Sequence, residues 1–267
     1  MSTGAKTQAI RKARSLTYLA APYLVIAAVI VAWEFAVRFN GIQPIFLPAP
    51  SSILKYLWAM IADGSLPYHL SVTFLRIIAG FLVAGVSGIA VGILMGMSPI
   101  IARIVDPWIA ALYPLPKISL IPLLIIWLGT GETYKIVISA VTAFFPVAIS
   151  TFSAIRQVDS GLVNAAKDLG ANARQLQVKV VIPAALPGIT SGLQLGMGVT
   201  IIMVVAAEMI GGSSDSGMGF LLIHAGQVME TEKVFAGLIA LAVFGAVITN
   251  VQKWIDRSVA PWVQREH

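Results

Sequence analysis

Residues 165–187 read AAKDLGANARQLQVKVVIPAALP and form a polar tract between two long apolar segments. The charged side chains of the tract are Lys167, Asp168, Arg174 and Lys179, and a glycine and two prolines interrupt it. The segments on both sides carry almost no charge. A polar tract in this position indicates a water-exposed connection between two membrane segments.

The composition excludes an ordinary soluble protein. Of 267 residues, 58% are hydrophobic and 11% are charged, and the mean hydropathy is +0.87. An average soluble domain is about one quarter charged. Because so few charges cannot cover the surface of a soluble protein of this size, lipid must surround most of the chain. The sequence therefore predicts an integral membrane protein.

The same composition argues against several classes of function. The chain has no cysteine, which excludes disulfides and thiolate metal sites, and its three histidines match no metal-ligand spacing. The net charge of +6 does not indicate a nucleic-acid partner, because the charges cluster between the apolar segments. A membrane enzyme is disfavoured too, since no paired carboxylates and no His/Asp/Ser cluster stand out.

Apolar segments of about 20 residues, the length at which a helix crosses the hydrocarbon of a bilayer, recur about six times. They are predicted near Tyr18–Val37, Phe74–Met97, Trp108–Gly129, Tyr134–Ile155, Ile189–Gly211 and Val234–Asn250. The basic residues before the first segment could belong to a signal peptide. However, the apolar run is too long for one and no Ala-x-Ala site follows. We therefore expect the first helix to be retained.

The distribution of lysine and arginine predicts the orientation of the chain. With the N-terminus inside, the inner segments hold twelve of the 18 basic residues, namely Lys6, Arg11, Lys12, Arg14, Arg103, Arg156, Lys167, Arg174, Lys179, Lys253, Arg257 and Arg265. The outer segments and outer helix ends hold five, namely Arg38, Lys55, Arg76, Lys135 and Lys233, and Lys117 lies within the third span. Because basic residues are enriched on the cytoplasmic side, both termini and the polar tract are expected there.

Small residues at every fourth position predict close packing between helices. One stripe runs along the second span and comprises Gly80, Ala84, Gly88, Gly92 and Gly96. A second stripe, in the fifth span, comprises Gly192 and Gly196. Helices in lipid gain little from hydrophobic burial against each other, so close backbone approach at such stripes joins them. Packing within the chain is the simpler interpretation, and a subunit interface or a moving interface is the alternative.

A translocation path is predicted at the third span, where Pro114, Pro116 and Pro122 break the helix. The freed carbonyls must find partners in protein or in a water-filled cavity. Lys117 beside this break and Glu208 in the fifth span are ionisable groups in apolar surroundings, where charge is costly. For both residues a structural salt bridge or helix cap and a role on the path remain open. The candidate path residues are Pro114, Pro116, Lys117, Trp127 and Glu208.

On physical grounds the polar tract has two interpretations. It reads as a short helix with a small-residue face, a glycine turn, and a second helix that ends where Pro183 and Pro187 lead into the fifth span. Helices this short are marginal alone in water, so they need a packing partner. The tract is either a docking element for another protein or an amphipathic helix that lies on the bilayer surface.

The spacing of the tract resembles the signature loop of ABC-importer membrane subunits. That signature is Glu-Ala-Ala, three residues, Gly, nine residues, Ile, one residue, Leu-Pro. The residues that match it are Ala165, Ala166, Gly170 and Pro183. Val180 and Ile182 are conservative replacements at its two aliphatic positions, and Asn164 replaces its acidic residue. Together with Asp168 and Arg174, these are the residues that the resemblance implies for coupling to an ATPase.

The resemblance extends over roughly residues 45–260. Three further segments are similar to permeases of importers for nitrate, sulfonate, taurine and related small anions, namely LPAPSSIL (47–54), DPWIAALYPLPKISLIPLLIIWLGTGETYKI (106–136) and AAEMIGGSSDSGMGFLL (206–222). The resemblance implies an all-α type I ABC importer permease fold in which two copies form the pore. The implied organisation is a cytoplasmic N-terminus (1–17), a first helix with an outer amphipathic segment (18–73), a core permease domain (74–255) with its coupling loop (156–187), and a cytoplasmic C-terminus (256–267).

In such importers the polar loop is a coupling helix that docks on a cytoplasmic ATPase. The sequence has no G-x-x-x-x-G-K-[ST], so ATP and Mg²⁺ are expected on two separate ABC ATPase subunits and no cofactor is expected in this chain. The resemblance also implies a bacterial cytoplasmic membrane location and a periplasmic or lipid-anchored binding protein. That protein would dock on the outer segment from Asn40 to Ser71 and on the glycine-rich loop after the fifth span. It would deliver a small organic or inorganic anion.

An ion-coupled secondary transporter or a channel is the alternative function. Such a protein would need no partner ATPase. It is expected to show more acidic residues inside the membrane and an internal sequence repeat. Neither feature is evident in this sequence.

Overall fold

The computed structural model describes residues 3–39, 41–211 and 216–259. These residues form eleven α-helices and no strand, which confirms the predicted all-α fold. The helices are α1 (Thr3–Phe39), α2 (Pro50–Ala62), α3 (Ser65–Met97), α4 (Pro99–Leu112), α5 (Ile121–Leu128), α6 (Glu132–Arg156), α7 (Ser160–Asp168), α8 (Ala173–Leu176), α9 (Ile182–Ile210), α10 (Met218–Gln227) and α11 (Thr231–Val259). Most of the predicted C-terminal segment 256–267, and residues 212–215 of the glycine-rich loop, lie outside the described residues.

Five helical segments of the described chain are long and apolar enough to cross a membrane. They are Ala21–Phe39, Ser65–Met97, Glu132–Arg156, Ala173–Ile210 and Thr231–Asp256. α4 and the segment Lys117–Leu128 pass the same test only as a pair, and the two are bent by 88°. The described residues therefore provide five spans, or six if the bent pair is one span, which agrees with the predicted number.

The third predicted span, Trp108–Gly129, is not one helix. α4 ends at Leu112, and the chain resumes as a 3₁₀ turn, Lys117–Leu120, followed by α5. Pro114 and Pro116 lie in the break. Neither has a backbone N–H, so neither can donate the hydrogen bond that would continue α4. Pro122 lies in the first turn of α5, where a missing N–H leaves no bond unmade, so this proline does not break the helix as predicted.

α3, α6 and α9 form the centre of the bundle, and glycine allows their backbones to approach closely. A Cβ atom added at Gly88 of α3 would lie 2.9 Å from the Cβ of Val147 in α6. A Cβ atom at Gly192 of α9 would lie 2.5 Å from the Cβ of Ser150 in α6. The other glycines with such contacts between these helices are Gly80, Gly92, Gly96, Gly188 and Gly196. The structure therefore places both stripes at packing interfaces within the chain, and the three helices form one central block.

The central block has two distinct ends. α3 and α6 begin at the end where α9 finishes and α10 packs. Hydrogen bonds from Arg76 of α3 to Glu132 of α6 and Glu208 of α9, and from the Gly219 N–H of α10 to Glu208, show this arrangement. We call this end of the block the α10 end. At the opposite end α6 leads towards α7, and Ile155 packs with Ala185 and Ile189 at the start of α9. Because the polar tract lies there, we call it the tract end.

The polar tract continues into the fifth span, so the predicted helix end at Pro183 and Pro187 is wrong. α8, a π-turn (Gln177–Val181) and α9 form one helical segment of 38 residues. Pro183 lies in the first turn of α9 and has no N–H to donate. The wider hydrogen bonding of the π-turn before it accommodates this loss.

α2, α10 and α11 pack beside the central block through a second apolar cluster. Its buried members include Ile53 and Met60 of α2, Leu222 of α10 and Ala236 of α11. In the turn before α3, the exposed carboxyl of Asp63 accepts the Ser65 N–H at 2.8 Å. This hydrogen bond lowers the pKa of Asp63, because it stabilises the ionised form.

α1 is attached to this second cluster near its C-terminal end. The Glu34 carboxylate accepts the Ser51 hydroxyl at 2.7 Å and the Arg38 Nε–H at 2.5 Å. Trp33 packs on Phe235 with ring centroids 5.9 Å apart. Most of the remaining described surface of α1 is exposed and apolar. Such a surface is suited to lipid or to a partner in the membrane.

Candidate functional site

The first half of the polar tract forms α7, and local hydrogen bonds cap both of its ends. The Asp159 carboxylate accepts an N–H of the first turn at 2.7 Å. At the other end the Gly170 N–H donates to the Lys167 carbonyl at 2.8 Å, and the Ala171 N–H donates to the Ala166 carbonyl at 3.0 Å. This pair of bonds is a Schellman motif, which requires a left-handed residue after the helix. Gly170, with φ of +84°, supplies it.

The second half of the tract begins with a capping box. The Asn172 side chain accepts the Gln175 N–H at 2.9 Å, and the Gln175 side chain accepts the Asn172 N–H at 3.0 Å. Two N–H groups that the helix itself cannot satisfy are paired in this way. Neither residue was among the predicted site residues, although the sequence pattern N-x-x-Q is typical of such a cap.

No side chain of α7 or α8 is buried. Four apolar residues of α7 and its C-cap share one face, at spacing i, i+3, i+4 and i+7, and we call them the α7 face: Leu162, Ala165, Ala166 and Leu169. Leu169 is 89% exposed. Beside it a shallow cavity of about 360 Å³ is lined by Gln175 and Lys179 among others. This arrangement leaves a preformed, uncovered apolar surface at the tract end.

The structure distributes the predicted coupling residues over the whole tract. Ala166, Gly170 and Val180 line the same cavity, so the structure brings these three together. The remaining predicted residues on α7 and α8 are all exposed, namely Asn164, Ala165, Asp168 and Arg174. Ile182 and Pro183 are partly buried at the start of α9. Asn164, at the position where the signature is acidic, therefore faces solvent rather than another group of the chain's core.

Lys117 lies at the break between α4 and α5. Its ammonium group donates to the Tyr113 carbonyl at the end of α4. It also lies 5.1 Å from the ring centroid of Tyr113 and 4.7 Å from that of Phe145. A helix C-terminus and the faces of aromatic rings both favour a cation. The other candidate path residues on this bent span are Pro114, Pro116 and Trp127, all of them exposed.

Glu208 lies elsewhere, at the α10 end. Its buried carboxylate accepts an N–H of Arg76 at 2.6 Å and the Thr73 hydroxyl at 3.0 Å. Arg76 also donates two bonds to Glu132, at 2.5 and 2.6 Å. We call Thr73, Arg76, Glu132 and Glu208 the Arg76 cluster. Lys117 instead contacts Phe145, which is about 20 Å further along α6 than Glu132 at the 1.5 Å rise of a helix.

Thr73, Arg76 and Glu132 were not among the predicted site residues. A single arginine within the apolar run of the second span was the available signal, because a buried guanidinium needs carboxylate partners. The partners themselves could not be read from the sequence. They are 56 and 132 positions away from Arg76 and reach it only through the packing of α3, α6 and α9.

Comparisons with known proteins identify the family of the chain. Residues 88–261 match the family described as binding-protein-dependent transport system inner membrane component. The chain is 34% identical over 242 residues to the taurine transport system permease protein TauC of Escherichia coli, covering 89% of this chain and 87% of the relative. It is 36% identical over 240 residues to the putative aliphatic sulfonates transport permease protein SsuC of Bacillus subtilis, covering 90% and 86%.

A solved structure of the MetNI methionine ABC transporter, in an inward-facing conformation, has the same fold. The TM-score is 0.61 at 22% identity, and the match covers 77% of this chain and 98% of that chain. The predicted resemblance and the type I importer permease fold are thereby confirmed, and none of these similarities favours a secondary transporter or a channel. The chain is an ABC transporter permease and belongs to the family of binding-protein-dependent transport system inner membrane components.

Proposed function

We propose that this chain is the membrane subunit of an ATP-driven importer and that α7 docks on a cytoplasmic ABC ATPase. The observation that carries the proposal is the uncovered α7 face beside the cavity at Leu169. A helix of nine residues without a buried side chain is only weakly held by the rest of this chain. Docking in a groove of a partner would cover its apolar positions, as in other helix-in-groove contacts.

The tract end faces the cytoplasm in this proposal, and the α10 end faces the outside. The twelve-to-five distribution of basic residues supports that orientation. Both termini would then be cytoplasmic, in the inner membrane of a bacterium. The ATPase would hold ATP and Mg²⁺, and two ATPase subunits would serve two copies of this permease.

A force on α7 would reach the central block through two covalent routes. α7 follows α6 after three residues, and α8 continues through the π-turn into α9. α6 and α9 are packed closely against each other along their length. Closing and opening of the two ATPase subunits would therefore move these helices together, as a rigid-body transition between two states.

The translocation path is proposed along the bent span, between the α4–α5 segments of two copies. The exposed apolar side chains of this span, which include Trp108, Ile126 and Trp127, are then covered by the second copy or by lipid. Lys117 supplies a cation beside the break. A small anion with a sulfonate group is the proposed substrate class, because TauC and SsuC are described as permeases for taurine and aliphatic sulfonates.

A substrate-binding protein is proposed to dock at the α10 end. A cavity of about 350 Å³ opens there between α2 and the turn before α11, and Tyr56, Met229 and Glu230 are among its lining residues. Specificity among small anions would then reside largely in the binding protein, which captures the substrate before this chain meets it.

The test is co-expression and co-purification of the permease with a candidate ABC ATPase from the same organism. Leu169→Asp places a charge on the α7 face and is expected to abolish the complex or its ATP hydrolysis. Met229→Asp is the matched control, since Met229 is 68% exposed but lies at the opposite end of the bundle. The control variant should assemble with the ATPase like the wild type. A complex that tolerates Leu169→Asp, or no complex at all, would contradict the proposal and favour a tract that lies on the bilayer.

A further inference from the structure

α10 is short, and side chains of the central block satisfy its N-terminal N–H groups. The N–H groups of Gly217, Met218 and Gly219 donate to three acceptors, which are His69 Nδ1 at 3.1 Å, Thr73 Oγ1 at 2.8 Å and Glu208 Oε2 at 2.9 Å. His69, Thr73 and Arg76 are spaced i, i+4 and i+7 and so share one face of α3. A helix of ten residues depends on such contacts for its shape and position.

Arg76 joins these contacts to all three helices of the block. Its guanidinium donates to Glu132 of α6 and to Glu208 of α9, and also to the carbonyl and hydroxyl of Ser216 at 3.0 and 3.2 Å. Lys135, also buried, lies 3.6 Å from Glu132. Two cations thus face two carboxylates. The group is close to neutral, as a cluster in apolar surroundings needs to be.

At two positions, Gly217 and Gly219, the chain at the start of α10 has no space for a side chain. A Cβ atom at Gly217 would lie 2.4 Å from the Glu208 carboxylate carbon and 2.5 Å from Arg76 Nη1, and φ of Gly217 is +105°. A Cβ atom at Gly219 would lie 2.2 Å from the Val205 carbonyl oxygen. The segment therefore packs directly against the pair of Arg76 and Glu208.

We infer that Arg76 is a positioning residue that fixes residues 216–227, which we call the cap, to the central block. The inference rests on the proposed function, in which the block moves when the ATPase acts on α7. The cap then moves with the outer ends of α3, α6 and α9. A binding protein at the α10 end therefore meets a surface whose position differs between the two states of the transport cycle. Glu208 serves this anchoring, because its buried carboxylate accepts hydrogen bonds from Arg76, Thr73 and the Gly219 N–H.

The experiment measures amide hydrogen exchange and ATP hydrolysis in one set of purified complexes. In Arg76→Gln, the amides at the start of α10 should exchange about tenfold faster or more, because their local opening free energy falls, while amides of the central block keep their rates. Stimulation of ATP hydrolysis by substrate-loaded binding protein should be lost. Assembly with the ATPase and basal hydrolysis should remain. Arg38→Gln is the matched control, because Arg38 also pairs with a glutamate but lies on α1.

Gly217→Ala is the second variant. Its added methyl group would push the cap away from Arg76 and Glu208, and the variant keeps every charge. It should reproduce both effects of Arg76→Gln. Unchanged exchange in the cap would overturn the inference, and so would exchange that accelerates equally through α3, α6 and α9, because Arg76 would then serve folding alone. A wild-type chain that binds no ATPase would instead refute the proposed function. A wild-type complex stimulated normally, with variants that behave like it, would refute only the role of Arg76.

Discussion

Gly170 and Gly92 are both required by the structure, but for different physical reasons. A Cβ atom added at Gly170 would have no other atom within 4 Å, so its positive φ is what excludes other residues. Gly92 sits within a regular helix, and a Cβ atom there would lie 2.5 Å from Thr151 Cβ and 2.7 Å from the Ala148 carbonyl oxygen. The first glycine is needed for backbone conformation, the second for space.

Gly170→Ala is expected to weaken binding of the ATPase. A left-handed alanine costs about 1 kcal/mol or more, which distorts the turn after α7 and corresponds to at least about a fivefold rise in Kd. The measurement is titration of the purified permease with ATPase subunits. Gly198→Ala is the control, because this helical glycine also has open space around it but no positive φ. Equal affinities of the two variants would contradict the role assigned to the turn.

Lys117→Gln is expected to impair transport of an anion without affecting assembly. Loss of the cation beside the break should reduce uptake at limiting substrate by about tenfold, which corresponds to roughly 1.4 kcal/mol of lost interaction. The measurement is uptake of taurine or an alkanesulfonate into vesicles that contain the complete transporter. Lys253→Gln removes the same charge from an exposed position on α11 and should leave uptake unchanged. If both variants transport normally, Lys117 only caps α4.

At the scale of helices, the apolar segments and the break at Pro114 and Pro116 were predictable, whereas the geometry of the interruptions was not. Apolar length located the long spans because lipid leaves a helix few alternatives. The 88° bend between α4 and α5 and the π-turn before α9 depend on how neighbouring helices hold the chain around proline. Asn172 and Gln175 were readable as a local cap. The bonds between Arg76 and its two carboxylates were not, because they depend on the assembled bundle.

Gly92→Ala tests the packing of α3 on α6. Because the nearest atoms include a backbone carbonyl, the helices must separate, and overpacking of this kind costs about 1–3 kcal/mol. The melting temperature of the purified permease should fall by several degrees, about 2–4 °C per kcal/mol for a chain of this size. Gly245→Ala in α11 has open space and should leave the melting temperature unchanged. An unchanged Gly92→Ala protein would mean that α3 and α6 are not held this closely.

At the scale of the whole molecule, the orientation can be measured directly because the natural chain has no cysteine. Ser160→Cys at the tract end and Val228→Cys at the α10 end are both exposed. In intact cells that lack the ATPase, a thiol reagent that cannot cross the membrane should label Val228→Cys and spare Ser160→Cys. In inverted vesicles the labelling should be reversed. The opposite pattern would place the tract end outside and exclude docking on a cytoplasmic ATPase.

The π-turn between α8 and α9 has a consequence for the direction in which the tract faces. Each residue of a helix advances it by about 100° around its axis, and a π-turn holds one residue more than the α-helical turn it replaces. The five residues Gln177–Val181 therefore turn the helix through about the same angle as four α-helical residues would. Deleting Val178 would let an α-helical turn replace the π-turn and would keep the direction of the cavity beside Leu169 nearly unchanged. Deleting a residue from the regular part of α9 on the α8 side of its packing contacts would instead rotate that cavity by about 100° relative to the membrane helices. The π-turn is thus the one place in this helix where the chain can lose a residue without redirecting the docking surface.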